Sequence, residues 1–287
     1  MKDNQNLRSA AITGAGSGLG RDIALGLAAK GYRVIGTALN PQDVSELRKA
    51  SDGKVELAIC NITDEKAVNQ WVGSVSAELG QSGLDLLISN AGILTPGPLE
   101  VLPLAAIKHE FEVNVFGGLT VINAFLPALR KARGRIVQIG AMTGRFPIPF
   151  NGPSSASKAT LEAFADIYRA ELKPFGVEFV VAQAGNLLTG GPAKTAAALK
   201  KVSDSMTPAQ RELYGKSFDT FAAALNKMQG SGLPSVDAAR RVIELAEQTP
   251  APSRAPVGAD AEKILQLVRE KSDAELDVLR LQLVGLN

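Results

Sequence analysis

The chain has 287 residues, 45% of them hydrophobic and 21% charged, with a net charge of +2 and no run of five basic residues. That composition suits a soluble globular protein with a sizeable core and gives no footprint for nucleic acid. The single cysteine, Cys60, excludes an internal disulfide and fits a reducing compartment.

The opening segment, M-K-D-N-Q-N-L-R-S-A-A-I-T-G, is polar and then briefly apolar, without the long apolar core of a signal peptide. No stretch approaches 18 uninterrupted apolar residues, so no membrane span is expected and the cytoplasm is the expected location. Short apolar runs at 9–13, 33–38, 55–59, 84–89, 135–140 and 177–183 predict strands. Each is bounded by Gly, Asn or charged residues, as in a parallel sheet buried on both faces. Helical patterns fall between them, at 18–30, 64–79, 103–131 and 153–173. This alternation predicts an α/β fold, a doubly wound parallel sheet of the Rossmann type, in a single domain over 1–287 with its core at about 7–190. After residue 185 the rhythm breaks. Residues 186–231 hold turns and helix-like stretches without an obvious strand, and read as a helical flap over the C-terminal edge of the sheet. A helix is expected at 236–247, a Pro-rich loop at 249–256, and one or two amphipathic helices at the end, giving C-terminal helices over about 236–287.

The segment T-G-A-G-S-G-L-G, residues 13–20, follows the first strand and opens the first helix. A tight turn needs residues without side chains, and a pyrophosphate needs bare backbone to approach. The helix start adds free N–H groups and the positive end of a dipole. Gly14, Gly16, Ser17, Gly18, Leu19 and Gly20 are therefore candidates to hold a dinucleotide.

This motif, with S-N-A-G (89–92), E-V-N-V-F-G (112–117), S-A-S-K-A-T-L-E-A-F (155–164) and Q-A-G-N-L-L-T (183–189), resembles the short-chain dehydrogenase/reductase family, strongly over residues 7–190. The resemblance implies a nicotinamide cofactor. Asn61 and Ile62 would flank the adenine, Asn90, Ala91 and Gly92 would also contact the cofactor, Lys158 would hold the nicotinamide ribose, and Gly185 and Thr189 belong to the segment at the nicotinamide. The second strand ends V-I-G-T-A-L-N without an acid, which tilts the choice toward NADP(H) over NAD(H), with Thr37 as a phosphate contact. Ser17 and Leu39 stand where NADP-using relatives often carry Arg. Metal ligands are not expected. The long helices at 103–131 and 153–173 would pair with their copies in a homodimer or homotetramer.

The family's chemistry rests on an Asn, a Ser, a Tyr and a Lys. The Tyr hydroxyl exchanges the proton, the Lys lowers its pKa, the Ser polarises the substrate oxygen and the Asn supports the relay. Lys158 and Asn114 match their positions. Four residues before Lys158 the Tyr position holds Ser154, and thirteen before that the Ser position holds Ala141. Ser154 shares the lysine's helix face but also suits helix capping. Thr143 lies close to the Ser position, Tyr214 sits in the flap, Tyr168 is too far along its helix, Tyr32 looks structural, and His109 reads as a surface residue. Losing a positioned proton donor costs about 10²–10⁴ in rate, roughly 3–5.5 kcal/mol of barrier. Three readings follow: an atypical NADP(H)-dependent reductase of an activated apolar substrate (C=C, C=N or carbonyl), a non-redox lyase, isomerase or cyclase on the same scaffold, or an inactive dinucleotide-binding regulator.

Overall fold

The computed structural model describes residues 7–286, apart from the side chains of 191 and 192. All six expected strands form, as β1 Ser9–Ile12, β2 Arg33–Ala38, β3 Val55–Ile59, β4 Leu86–Ser89, β5 Arg135–Ala141 and β6 Glu178–Ala184. Two further strands of two residues each, β7 Leu187–Leu188 and β8 Leu233–Pro234, pair with each other apart from the main sheet. The main sheet is wholly parallel and gains a seventh member, β9 Arg254–Val257, in the order β3-β2-β1-β4-β5-β6-β9.

The segment read as a Pro-rich loop at 249–256 thus ends in a strand. Its place explains the misreading. An edge strand tolerates proline because one row of its N–H groups needs no ladder partner, so Pro256 sits within β9 while Ala255 and Val257 are buried against the sheet.

The strands alternate cleanly between two cores. Ala10, Ile12, Leu86, Ile88 and Val137 join one cluster with helices α1 Gly18–Ala29 and, from the far end of the chain, α10 Ser235–Glu247. Ala11, Leu87, Ile136, Phe179 and Val181 join the opposite cluster. There α3 Glu65–Leu79 packs through Trp71, whose ring meets Phe125 edge-on at 5.2 Å. Helix α2 Pro41–Ala50 opens with Asn40 as its cap, the Asn40 carboxamide accepting from the Asp43 amide.

The expected helix at 103–131 is one continuous run with a flaw in it. Helix α4 Leu104–Phe111 passes through a π-helical turn, Glu112–Gly117, into α5 Gly118–Ala132. By length and composition alone Leu104–Ala132 could cross a membrane, but half of its most apolar window is buried in the domain, with Val121, Phe125 and Leu129 in the core. Helix α6 Gly152–Leu172 lies beside it.

The flap contains α7 Gly191–Ser205, the short α8 Pro208–Gln210 and α9 Lys216–Gly230. It is anchored by its own apolar cluster. Phe218, Phe221 and Leu225 pack against Phe146 and Ile148 from the loop after β5, and against Leu276 and Val284 of the chain end. That end forms α11 Ala259–Glu270 and α12 Asp273–Leu283. The flap therefore roofs the carboxyl ends of the strands. The strand order reverses between β1 and β4, and the crevice opens at that switch point.

Candidate functional site

Two cavities meet at this crevice. The first, of about 470 Å³, is lined by Gly14, Gly16, Ser17, Leu19, Gly20, Thr37, Asn61, Ile62, Asn90, Ala91 and Gly92, eleven of the residues expected to hold the cofactor. The second, of about 550 Å³, is lined by Ala141, Thr143, Ser154, Lys158 and Gly185. Asn90, Gly92, Ile93 and Lys194 belong to both, so one groove runs from the glycine turn to the lysine.

The glycines are needed where they stand. Gly14 and Gly18 have φ of 64° and 55°, the left-handed region that a side chain disfavours. A Cβ on Gly20 would lie 2.4 Å from the Gly14 carbonyl oxygen and 2.5 Å from Asn90 Nδ2. Helix α1 begins with no side chain capping it and no acid in its first turn, leaving its amides and dipole available to an anion. A bare-backbone cradle at a helix start fits a dinucleotide's pyrophosphate. Gly18 lines neither cavity and faces Thr189, whose Cβ lies 3.7 Å from the Cβ position built on Gly18; Thr189 is thus placed over the turn.

The turn is braced from β4. Thr13 Oγ1 accepts from the Asn90 and Ala91 amides at 2.9 and 3.0 Å, and Asn90 Nδ2 donates to the carbonyls of Thr13 and Gly14 at 2.9 and 3.2 Å. Thr37 is 1% exposed and its hydroxyl accepts from the Gly14 amide at 3.1 Å. It thus shapes the turn while lining the first cavity, its own O–H still free of that bond.

At the other end, Lys158 Nζ donates to the Ile139 carbonyl at 2.8 Å. Burial lowers its pKa to about 8, against the opposing pull of the Glu110 carboxylate. Asn114 lies in the π-helical turn, buried behind Gly92 rather than lining the pocket. Its Oδ1 accepts from the Ile93 amide at 2.8 Å, and its Nδ2 donates toward Ile93 O, Ser157 Oγ and Glu110 Oε1 at 3.0, 3.0 and 3.2 Å.

Ser154 does not cap its helix. The N-cap is Asn151, and Ser154 sits within the first turn of α6 with its side chain at the pocket wall. Ala141 faces the same space, with Thr143 the nearest hydroxyl on that segment. None of the three tyrosines lines the pocket. Tyr32 donates to Glu247, Tyr168 to Asn123, and Tyr214, the flap residue considered as a substitute, to Glu100. His109 is exposed as expected, but on the rim of the first cavity.

Sequence reading missed three acids. Asp43 lines the first cavity, its Oδ2 2.9 Å from where a Gly16 Cβ would stand. It comes from the first turn of α2, beyond the strand end where an acid is usually sought. Glu110, fully buried, lies one helical turn before Asn114, and that spacing of four was the available signal. Asp260 accepts from both the amide and the side chain of Asn186, at 2.8 and 2.9 Å, fixing the backbone beside Gly185. Its distance in sequence left no signal.

A model of the short chain dehydrogenase family matches residues 8–200. Mouse retinol dehydrogenase 16 is 34% identical over 224 residues, covering 76% of this chain and 69% of its own. The NADPH-dependent 3-dehydrocapnine reductase of Ornithobacterium rhinotracheale is 30% identical over 233 residues, covering 79% and 80%. A short-chain dehydrogenase structure from Streptomyces avermitilis superposes with a TM-score of 0.77 at 25% identity, covering 98% of this chain and 96% of that one.

Gly20→Ala is expected to push the turn away from Asn90 and weaken dinucleotide binding by about tenfold or more, equivalent to about 1.4 kcal/mol. Calorimetric titration checks this, with circular dichroism to show that the fold persists. Unchanged affinity would mean that the dinucleotide does not lie on this turn.

Proposed function

Since the chain belongs to the short chain dehydrogenase family of oxidoreductases, we propose that it reduces an activated apolar substrate with a nicotinamide dinucleotide and without a tyrosine proton donor. The observation that carries this reading is the pocket itself: Lys158 faces it, Ser154 and Ala141 take the places that the family resemblance gives to Tyr and Ser, and every tyrosine of the chain is engaged elsewhere.

When bound, the dinucleotide supplies a hydride. The chain's residues hold it and manage the proton. The α1 amides and the bare glycine turn receive the pyrophosphate, and Gly185, its backbone fixed through Asp260, lies at the nicotinamide end. Ser154, a short alcohol, is far weaker as an acid than a phenol and leaves space above Lys158. An ordinary ketone would therefore react slowly. A C=C bond in conjugation, a C=N bond or an activated carbonyl places less demand on the donor.

The apolar preference has structural support. Through Met142, Met228 and Leu283 the pocket adjoins a further cavity of about 790 Å³, walled by Phe146, Ile264 and Leu279. A substrate with a hydrocarbon portion would find its solvation there.

For the dinucleotide itself the two lines of argument diverge. The missing acid at the end of β2 favours NADP(H). The structure supplies an acid from elsewhere, Asp43, and the one Lys or Arg among the described residues lining that cavity, Lys194, belongs also to the second cavity, where the two join. The Asp43 carboxylate repels a 2′-phosphate and accepts from ribose hydroxyls. NAD(H) is thus the better fit. The cytoplasmic setting and the homo-oligomer belong to the same proposal. Phe116 on the π-helical turn and Ile167 on α6 are 51% and 52% exposed, which suits pairing of these helices.

Three measurements test the reading. Oxidation of the reduced dinucleotide is expected with activated acceptors such as o-quinones or imines; product turnover without dinucleotide oxidation would favour the non-redox alternative. In the same assay, Ala141→Ser with Ser154→Tyr is expected to raise reduction of simple ketones by about 10²-fold or more, and a folded, dinucleotide-binding double variant without that gain would show the site to be misassigned. NAD(H) is expected to bind more tightly than NADP(H), with Asp43→Ser narrowing the gap; the reverse order in the wild-type protein would restore NADP(H). Light scattering that returns the mass of one chain would dismiss the pairing of helices.

A further inference from the structure

Glu110 is a carboxyl group that the reaction scheme above leaves without a task. It is fully buried, and burying a charge is costly unless something compensates it. Its Oε2 accepts from the Thr95 amide at 2.8 Å and its Oε1 from Asn114 Nδ2 at 3.2 Å. Neither partner is charged. No salt bridge to Glu110 forms among the described residues; Lys158 acts on it through space, across the small volume behind Gly92, where Nζ and Asn114 Oδ1 lie 3.8 and 3.1 Å from the position of a Gly92 Cβ.

Other ionisable groups near the pair are spent or turned away. Glu162, one turn beyond Lys158 on α6, receives Arg254 and Gln183. His109 and Glu112, beside Glu110 on its own helical run, are exposed. Lys194 reaches the groove from α7 as an exposed rim residue. That leaves Glu110, hydrogen-bonded to Asn114 in the same wall, as the buried acid that opposes the effect of burial on Lys158.

We propose that Glu110 is a positioning residue that keeps Lys158 in its ammonium form, so that Nζ serves as the proton donor in a pocket without a phenol. The inference rests on the oxidoreductase reading above. Lys158 has three N–H donors and Ile139 takes one, leaving two for the pocket. As the substrate carbon gains a hydride and its π bond breaks, the electron pair moves to the substrate oxygen, nitrogen or neighbouring carbon. That atom takes a proton from Nζ, and the neutral amine regains one from solvent. Glu110 favours that return. Opposing effects act on both partners: burial pushes the lysine down to about 8 and the carboxyl up, while each charge holds the other in place. An acid near neutral is the useful kind for proton transfer.

The test uses the full chain, labelled with ¹⁵N-lysine, with Lys158 assigned by the signal lost in Lys158→Met. Glu110→Gln is expected to lower the Lys158 titration midpoint by about one pH unit or more, a tenfold shift toward the amine. Coupling between two sites is reciprocal, so Lys158→Met is expected to raise the Glu110 carboxyl midpoint by a similar amount; this arm keeps the test open if the Gln variant does not fold. With an o-quinone acceptor, the alkaline limit of kcat in Glu110→Gln is expected to fall by the same shift, KM for the dinucleotide staying within about twofold. Midpoints that stay in place would overturn the pairing. Shifted midpoints with an unmoved kcat profile would overturn the donor role. A wild-type protein inert toward every acceptor, with both midpoints shifted, would refute the oxidoreductase reading and the donor role together, leaving only an electrostatic coupling.

Discussion

The bracing between the turns after β1 and β4 is the constraint on which the site depends. Thr13 and Asn90 exchange hydrogen bonds across the switch point, and Asn90 also holds the Gly14 carbonyl. This couples the glycine turn to the strand loop that carries Ala91 and Gly92. From Gly92 the connection continues to Asn114 through the Ile93 amide and carbonyl, and onward to Ser157, next to Lys158. A dinucleotide held at one end of the groove is thereby referenced to the lysine at the other. Gly20 is the tightest part of the arrangement, because any side chain there enters the Asn90 contact.

The fold was largely legible because parallel strands buried on both faces must be apolar almost throughout. Runs such as Leu86–Ser89 and Arg135–Ala141 announce themselves in that way. β9 did not, since Pro250, Pro252 and Pro256 crowd its neighbourhood and only its edge position makes it possible. That the glycine turn, Lys158, Ser154 and Ala141 would come together along one groove was readable from spacing, because those features are local. What escaped were groups brought in by the folding of distant or neighbouring elements. Asp43 enters from a helix rather than a strand end. Asp260 comes from beyond the flap. Glu110 was hidden in plain sight: its spacing of four from Asn114 was a weak signal, since a Glu on a helix ordinarily points to water, and the packing around the π-helical turn shows that this one does not.

The flap illustrates how composition and packing diverge. Its sequence is turn-rich and without obvious rhythm, yet Phe218, Phe221 and Leu225 lock it to Phe146, Ile148 and the last helix through a cluster of its own. Phe150, held with φ of 59°, meets Phe218 and Phe221 edge-on at 5.6 and 5.5 Å. The same loop leads into Asn151 and α6, so the roof of the pocket and the helix of Lys158 share a hinge of aromatic contacts.

On the proposed reading, the electrostatics of the pocket turn on Ser154 standing where the family resemblance gives a tyrosine. A phenol beside an ammonium gives a site two ways to carry a proton and lets the pair share one charge. A serine offers neither, because an alcohol does not ionise near neutral pH. The lysine is then the acid nearest the pocket, and its burial alone would strip its proton too readily. A carboxylate placed within the pocket would correct that but would also repel an anionic substrate and bond its hydroxyls. Glu110 stands instead behind Asn114, satisfied by Thr95 and closed to solvent, where it can act on the lysine's charge without touching the ligand. On this proposal the pocket keeps the lysine's positive charge while the compensating charge is held in the wall.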